Sequence, residues 1–475
     1  MKKLCYLISA LLLSSAVFAQ KTEKAVLKQL DKNTDAYGEI AKQIWQYAEV
    51  GYQETKSSAL LQSTLKDAGF EVTSGVAGMP TAFVASYGSG EPVIGILAEF
   101  DALPGVAQQA VPERQTIEGQ TAGHACGHHL FGTASTAAAI STKNWLQATK
   151  TQGTIEVFGT PAEEGGAGKV YMVREGLFDD VDVVLHWHPS NANSANPGSS
   201  LANKSAKFRF TGIPSHAAGA PERGRSALDG VEAMNYMVNL MREHVPMESR
   251  IHYVITRGGE APNVVPGFAE VYYYVRNPEM SMVKSLFERV VKAAEGAALG
   301  TGTTMEYEVI HGIYNLLPNE TLAELMYKNL EMVGGVDYTA DEIAFAETIQ
   351  ATYESDAPLA SAAMVKPYEV IRRTGAGSTD VGDVSWTVPT TGLRAATWVP
   401  GTAAHSWQAV AAGGTDIGTK GMMVAAKTIA LTAMDIYEDP GIVSKATAEL
   451  NEKRGANFQY ESLLGDRPPP LDYRN

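Results

Sequence analysis

Cysteine is nearly absent from this chain. Cys5 and Cys126 are the only two in 475 residues, and Cys5 lies in what reads as a removable leader. Residues 1–19 set Lys2 and Lys3 before an apolar run from Leu4 to Leu13 and end in Val17-Phe18-Ala19. That is the pattern of a secretory signal cleaved after Ala19. Cys5 opens the run rather than closing it, which argues against lipid attachment there. The mature chain is therefore expected to be periplasmic or secreted, with Cys126 as its sole cysteine and no internal disulfide. A free thiol in an oxidising compartment is a liability unless it is buried or bound to metal, so Cys126 is a candidate ligand on that ground alone.

Long apolar runs are also missing. The leader's run is too short to span a bilayer, and no later segment has the length and apolarity to do so, so no membrane is expected as a partner. Positive charge is scarce: 38 Lys and Arg face 53 Asp and Glu, a formal net charge of −15, and loss of the leader removes lysines but no acid. Such acidity excludes nucleic acid and anionic membrane surfaces as partners. Heptads and short-period repeats are absent too. The length exceeds one ordinary core, so two domains are the expectation.

What is present centres on Gly123-His124-Ala125-Cys126-Gly127-His128-His129. Residues 131–140 are small and alanine-rich and predict a helix. Cys126 and His128 then sit in a glycine-punctuated loop at a helix N-terminus, where the macrodipole favours thiolate over thiol. A thiolate and an imidazole two residues apart are natural ligands for a divalent transition metal. Taken alone, the motif fits a small buried cysteine in a chance histidine cluster equally well. Recurrence of the same chemistry at other strand ends tips the balance.

Helical periodicity runs through residues 22–69, broken at 49–55 and closed by Gly69. Strands are predicted at 70–72, 81–87 and 92–98, the last a continuous apolar run of the kind buried in a helix-flanked sheet. It delivers Glu99 and Asp101 to a turn. A strand at 154–160 runs into Glu163-Glu164-Gly165-Gly166, and one at 181–185 runs into His186-Trp187-His188. Ligands of open α/β sheets collect beyond the carboxyl ends of the strands, and these residues all fall at that edge. His186 and His188 are not equivalent, because only one need face the site once the strand has ended. Beyond residue 200 the predicted order becomes β-α-β-β-α-β, a ferredoxin-like sandwich, inserted at about 202–315. Helix 318–333, the turn Gly375 to Asp383, a loop to His405 and a long helix at 420–437 follow. Residues 451–475, with Pro468-Pro469-Pro470, are expected to be an extended, poorly packed tail.

Together Asp101-Ala102-Leu103-Pro104, His124-Ala125-Cys126-Gly127-His128, Pro161-Ala162-Glu163-Glu164-Gly165, Trp187-His188-Pro189, Ser378-Thr379-Asp380-Val381-Gly382-Asp383 and His405-Ser406-Trp407 resemble metallopeptidase family M20 in its amidohydrolase branch, subfamily D. The resemblance covers nearly the whole mature chain except the tail. It implies an α/β catalytic domain with a mainly parallel sheet (20–201 and 316–450) and a lid at 202–315 that dimerises. It also implies two divalent metal ions, zinc or manganese, held by Cys126, His128, Glu164, His188 and His405, with Glu163 as general base. His216 and Asn263 match a lid histidine and asparagine that reach the partner subunit's site.

On this reading two cations activate one water and polarise the scissile carbonyl, and Glu163 carries the proton to the leaving amine. Asp101 orients a metal-bound imidazole, and His216 donates to the developing oxyanion. Arg276 is a candidate for the substrate carboxylate, balanced against a plain surface arginine beside Glu279. One departure stands out: His129 occupies a position where the branch has aspartate, and a satisfied core or supporting histidine is expected there rather than a further ligand. The implied reaction is hydrolysis of the amide bond of N-acyl or N-aroyl amino acids such as p-aminobenzoyl-glutamate, by a homodimer or with a paralogous second subunit. The alternatives are a metal-dependent dipeptidase or aminopeptidase on the same scaffold, and a non-catalytic periplasmic binding protein that has kept the fold.

Overall fold

The computed structural model describes residues 23–372, 375 and 377–474; the leader and its cleavage site lie outside them. Strands β1 (Glu71–Ser74), β2 (Phe83–Ser89), β3 (Val93–Ala98), β4 (Gly153–Gly159), β5 (Val183–Ser190) and β10 (Thr390–Ala396) form a 6-stranded sheet in the order β1-β2-β4-β3-β5-β10. The pairs β3–β4, β3–β5 and β5–β10 are parallel, and β1 and β2 close one side antiparallel. The apolar β3 sits inside this sheet, as its unbroken hydrophobicity requires.

Helix α3 (His128–Thr149) crosses the sheet with every residue from His128 to Ala139 buried. Its small residues allow this: a Cβ on Gly132 would lie 2.7 Å from the Glu99 carbonyl oxygen, so only glycine lets the helix come so close to the end of β3. A long, largely buried helix over Asp416–Glu438 packs on α3. The fold is thus the expected mainly parallel, helix-flanked sheet.

A second sheet has 4 strands, β6 (Ala202–Thr211), β7 (Arg250–Arg257), β8 (Phe268–Asn277) and β9 (Thr304–Ile313), in the antiparallel order β9-β6-β8-β7. Helices α5 (Ala227–Met241) and α6 (Met280–Thr301) cover one face. That face buries a core of its own, including Phe208, Tyr273, Val275 and Phe287. Alternation along β8 leaves Tyr272, Tyr274 and Arg276 on the opposite face.

Two expectations change. β5 does not stop at Leu185, because its parallel pairing with β10 continues through His188↔Arg394 to Ser190↔Ala396, so both histidines lie within a strand. Nor is the tail loose. A helix runs over Gly441–Arg454, and beyond it Leu463 and Leu464 are buried. The Tyr460 hydroxyl donates to Asp383 at 2.8 Å, and the Tyr314 hydroxyl donates to the Glu461 carbonyl at 2.7 Å. Apolar and aromatic side chains spaced between the polar residues of this segment dock it, and the three prolines only set its extended path.

Candidate metal centre

The carboxyl ends of β3, β4, β5 and β10 bring the cluster together. Asp101 follows β3, Glu163 and Glu164 follow β4, His188 lies near the end of β5, His405 lies in the loop after β10, and His128 opens α3. Cys126 Sγ lies 3.3 Å from His188 Nε2. Ligand-type atoms of Cys126, His128 and His188 fall within 4.8 Å of one another, as do those of Cys126, Glu164 and His405, and those of His128, Glu163 and Glu164. The first two groups share the Cys126 sulfur.

Hydrogen bonds at the outer ring nitrogens fix which atoms face inward. His128 Nδ1 pairs with Asp101 Oδ1 at 2.8 Å, and His188 Nδ1 donates to the Pro189 carbonyl at 2.7 Å. Each imidazole therefore turns Nε2 toward the cluster, the orientation that such outer partners impose on metal ligands. His128 Nε2 stands 3.1 Å from Glu99 Oε2, and His405 Nε2 stands 3.2 Å from Glu164 Oε1. Buried His128 Nε2, Glu99 Oε2 and Glu164 Oε1 nonetheless make no aligned hydrogen bond. Buried polar atoms are seldom left unsatisfied, and sulfur, imidazole and carboxylate converging on one space are the donor set of a divalent transition metal.

The electrostatics point the same way. Burial pushes the Cys126 thiol well up, and Glu164 and Glu163 add to it against the opposing pull of His128. This reverses the sequence expectation: the helix terminus does not make a thiolate here, because desolvation and two carboxylates outweigh a macrodipole contribution of about 1 kcal/mol. A bound cation would supply the missing charge. Burial alone would lower His128, but the Asp101 and Glu99 carboxylates at its two ring nitrogens raise it above the ordinary imidazole range. Burial, then Glu99, Glu164 and Asp380, raise Glu163 well above a normal carboxyl.

Behind Glu163 lies a network absent from the sequence reading. Lys169, fully buried, sits 2.7 Å from Glu99 Oε1 and 2.7 Å from Asp380 Oδ1. Burial opposes its charge, yet Asp380, Glu99 and Glu163 hold it protonated. Its only signal was a lone lysine in the glycine-rich and apolar stretch 165–173. Glu54 is another addition, accepting from the Ala162 N–H at 2.9 Å; burial and Asp101 raise it to about 8.

Several histidines stay out of the cluster. His124 Nε2 meets the Ile44 carbonyl at 3.1 Å, and His129 Nε2 meets the Gly413 carbonyl at 2.9 Å. Burial holds both below the ordinary imidazole range, to about 3 for His124. His129 is thus a core histidine tying α3 to the helix Trp407–Gly413. His186 faces Gly392, where a Cβ would lie 2.4 Å from its ring.

His216 and Asn263 sit side by side on exposed loops of the second sheet, joined by the Ala217 N–H to Asn263 carbonyl bond at 3.0 Å. Among the described residues His216 Nδ1 accepts only from the Ala218 and Gly219 N–H groups of its own loop, and neither side chain joins the cluster. Arg276 is not the surface arginine weighed in the sequence: its Nε is buried without a partner, its guanidinium lies 5.2 Å from the Tyr274 ring centre, and no described carboxylate pairs with it. Next to it His311, lowered to about 4 by burial, reaches the Gly165 backbone, so this open face of the sheet looks onto the Glu163–Glu164 loop.

A parallel α/β sheet presenting such a donor set at its carboxyl edge is the architecture of a metal-dependent hydrolase. The model of peptidase family M20/M25/M40 matches residues 95–407, and the chain belongs to that family. It is 42% identical over 446 residues to the B-type polypeptide of p-aminobenzoyl-glutamate hydrolase from Escherichia coli (strain K12), covering 88% of this chain and 93% of that one. It is 28% identical over 466 residues to the Xaa-Arg dipeptidase of Mus musculus, covering 95% and 96%. A dinuclear metal binding peptidase of the M20 family from Bacillus subtilis shares the fold with a TM-score of 0.56 at 18% identity, over 87% of this chain and 99% of that one. The chain is accordingly an amidohydrolase or peptidase of this metal-dependent family.

Proposed function

We propose that the chain is a binuclear metal amidohydrolase that cleaves the amide bond of N-acyl or N-aroyl amino acids, p-aminobenzoyl-glutamate among them. The observation that carries this is the Cys126 sulfur common to two ligand groups, one with His128 and His188, the other with Glu164 and His405. Two zinc or manganese ions held this way would polarise the scissile carbonyl and acidify the attacking water. The remaining work belongs to side chains. Glu163 stands beside Glu164 and close to His128, Glu99 and Asp380. From there it takes the proton of the attacking water and passes it to the leaving amine. Arg276, half-buried with an unpartnered Nε and with no carboxylate paired to it among the described residues, is suited to the substrate's free carboxylate.

His216 and Asn263 complete the site from a second copy, since within one chain they lie apart from the cluster. The exposed apolar residues Tyr236, Met237, Leu240, Val254 and Ile255 of α5 and β7 suit a homodimer contact along that side of the sheet. The A-type polypeptide of the same hydrolase, 26% identical to this chain over 275 residues, makes a paralogous partner the alternative. The leader motif in residues 1–19 supports a periplasmic or extracellular location, and N-terminal sequencing of the exported form tests cleavage after Ala19.

A second reading, hydrolysis of dipeptides, is favoured by the likeness to Xaa-Arg dipeptidase along 95% of the chain. Metal-loaded wild type and Glu163→Ala are compared on p-aminobenzoyl-glutamate, N-acetyl amino acids and free dipeptides. Turnover of blocked substrates by wild type alone supports the proposal. A strict need for a free α-amine moves it to dipeptides, and equal rates in both proteins remove Glu163 from the mechanism.

A further inference from the structure

The loop that carries Glu163 and Glu164 closes its own turn, the Gly166 N–H donating to the Ala162 carbonyl at 2.9 Å, but it is also held from outside. Ala162 and Ala167, on either side of it, have φ of 58° and 57°, a left-handed conformation that side chains other than glycine adopt reluctantly. Such backbone persists only when its surroundings over-determine it. On the amino side the Glu164 N–H donates to Asp101 Oδ2 at 2.9 Å. On the carbonyl side the partners come from the far end of the sequence: the Tyr473 hydroxyl donates to the Glu164 oxygen at 3.1 Å, and Arg474 Nη2 donates to the same oxygen at 2.5 Å.

Those two residues are themselves fixed. The Tyr473 ring packs edge-on against Tyr52 with centres 5.6 Å apart, and the Tyr52 hydroxyl donates to the Gly166 carbonyl at 2.8 Å. Gly51 leaves the space that the Tyr473 hydroxyl fills. Further back, the Arg467 guanidinium donates to the Val309 and Ile310 carbonyls of β9 at 2.8 and 2.7 Å, and Arg174 holds the Arg467 carbonyl at 2.7 Å. The segment is anchored first on the second sheet and then on the ligand loop.

We infer that residues 460–474 form a strap whose Tyr473 and Arg474 position Glu164, and with it Glu163, for metal binding and catalysis. Both are positioning residues: they act through the Glu164 peptide and touch neither cation nor substrate. The strap also ties the catalytic loop to β9, so movement of the second sheet is felt at the ligand. The inference rests on the metal reading above, but its test does not need a substrate.

The experiment compares wild type, Tyr473→Phe with Arg474→Met, and Arg474→Lys in the full chain. Zinc affinity is measured by chelator competition, and kcat, KM and the thermal midpoint of the metal-free protein alongside it. Loss of an outer partner of a ligand is expected to weaken zinc binding about 10-fold or more. With it kcat falls while KM holds, the metal-free midpoint moves little, and Arg474→Lys, which keeps a donor, stays close to wild type. Unchanged zinc affinity and kcat in the double variant overturn the strap. So does a lowered midpoint with normal affinity, since that marks plain packing. Should the double variant fail to fold, Tyr473→Phe, which removes a single hydroxyl, carries the same comparison. Tight zinc binding by a wild type that hydrolyses no substrate would sink the proposed function and leave this inference standing.

Discussion

Asp101 holds His128 and the Glu164 peptide at once: Oδ1 meets His128 Nδ1 at 2.8 Å, and Oδ2 accepts the Glu164 N–H at 2.9 Å. One buried carboxylate thereby sets the ring of one ligand and the backbone of another. Burial alone would raise its pKa, but His128, Glu164 and Lys169 hold it below the usual carboxylate range. Asp101→Asn keeps the size and loses the charge and one acceptor. Metal affinity or kcat is expected to fall about 10- to 100-fold, measured by chelator competition and steady-state kinetics. A variant within a factor of two of wild type in both would show that Asp101 orients nothing of consequence.

Metal binding should release protons. In the metal-free chain burial keeps the Cys126 thiol protonated, and the Asp101 and Glu99 carboxylates beside His128 favour a proton there as well. A cation must displace these protons, because only thiolate and neutral imidazole ligate. The sign follows: affinity rises as pH rises, and weakly buffered solution acidifies on metal addition. Calorimetry in buffers of different ionisation enthalpy measures the proton count. Release of none would mean that Cys126 and His128 are not ligands.

The Lys169 ammonium bridges Glu99 and Asp380 in a space closed to water. Lys169→Met removes the cation and strands two carboxylates. Breaking a buried ion pair on one side costs about 3–5 kcal/mol, so the urea midpoint should drop sharply. Adding Glu99→Gln and Asp380→Asn should return part of the loss. Lys169→Met alone at wild-type stability would contradict the pairing.

His129 and His128 are neighbours with different work. His129→Leu removes the donor from the Gly413 carbonyl, 2.9 Å away, and should cost about 1–3 kcal/mol of stability with metal stoichiometry unchanged. His128→Ala should lose metal. Mass-spectrometric metal content of the two purified variants separates them; metal loss from the His129 variant would make it a ligand.

Much of this was legible because it is local. Cys126 and His128 are two residues apart at a helix start, and Glu163 and Glu164 sit between an apolar strand and a glycine turn. Strand periodicity therefore located the edge where the cluster forms. Contacts that join distant segments left no such mark. Lys169, Glu99 and Asp380 come from three places in the chain and meet only in the fold. Tyr473 and Arg474 stand in a proline-bearing stretch whose composition suggested no packing at all. Spacing alone did not set His124, which points at the Ile44 carbonyl, apart from Cys126 and His128, whereas His129 was expected in the core and meets the Gly413 carbonyl there. The sign of the Cys126 shift escaped as well, since a helix terminus is visible in sequence and complete desolvation is not.

The central claim is that one sulfur serves two cations. Anomalous diffraction from crystals of the zinc-loaded protein tests it most directly. The account predicts two peaks, each about 2.3 Å from Cys126 Sγ, one ringed by His128 and His188 and the other by Glu164 and His405. A single peak, or peaks out of bonding reach of that sulfur, would contradict it.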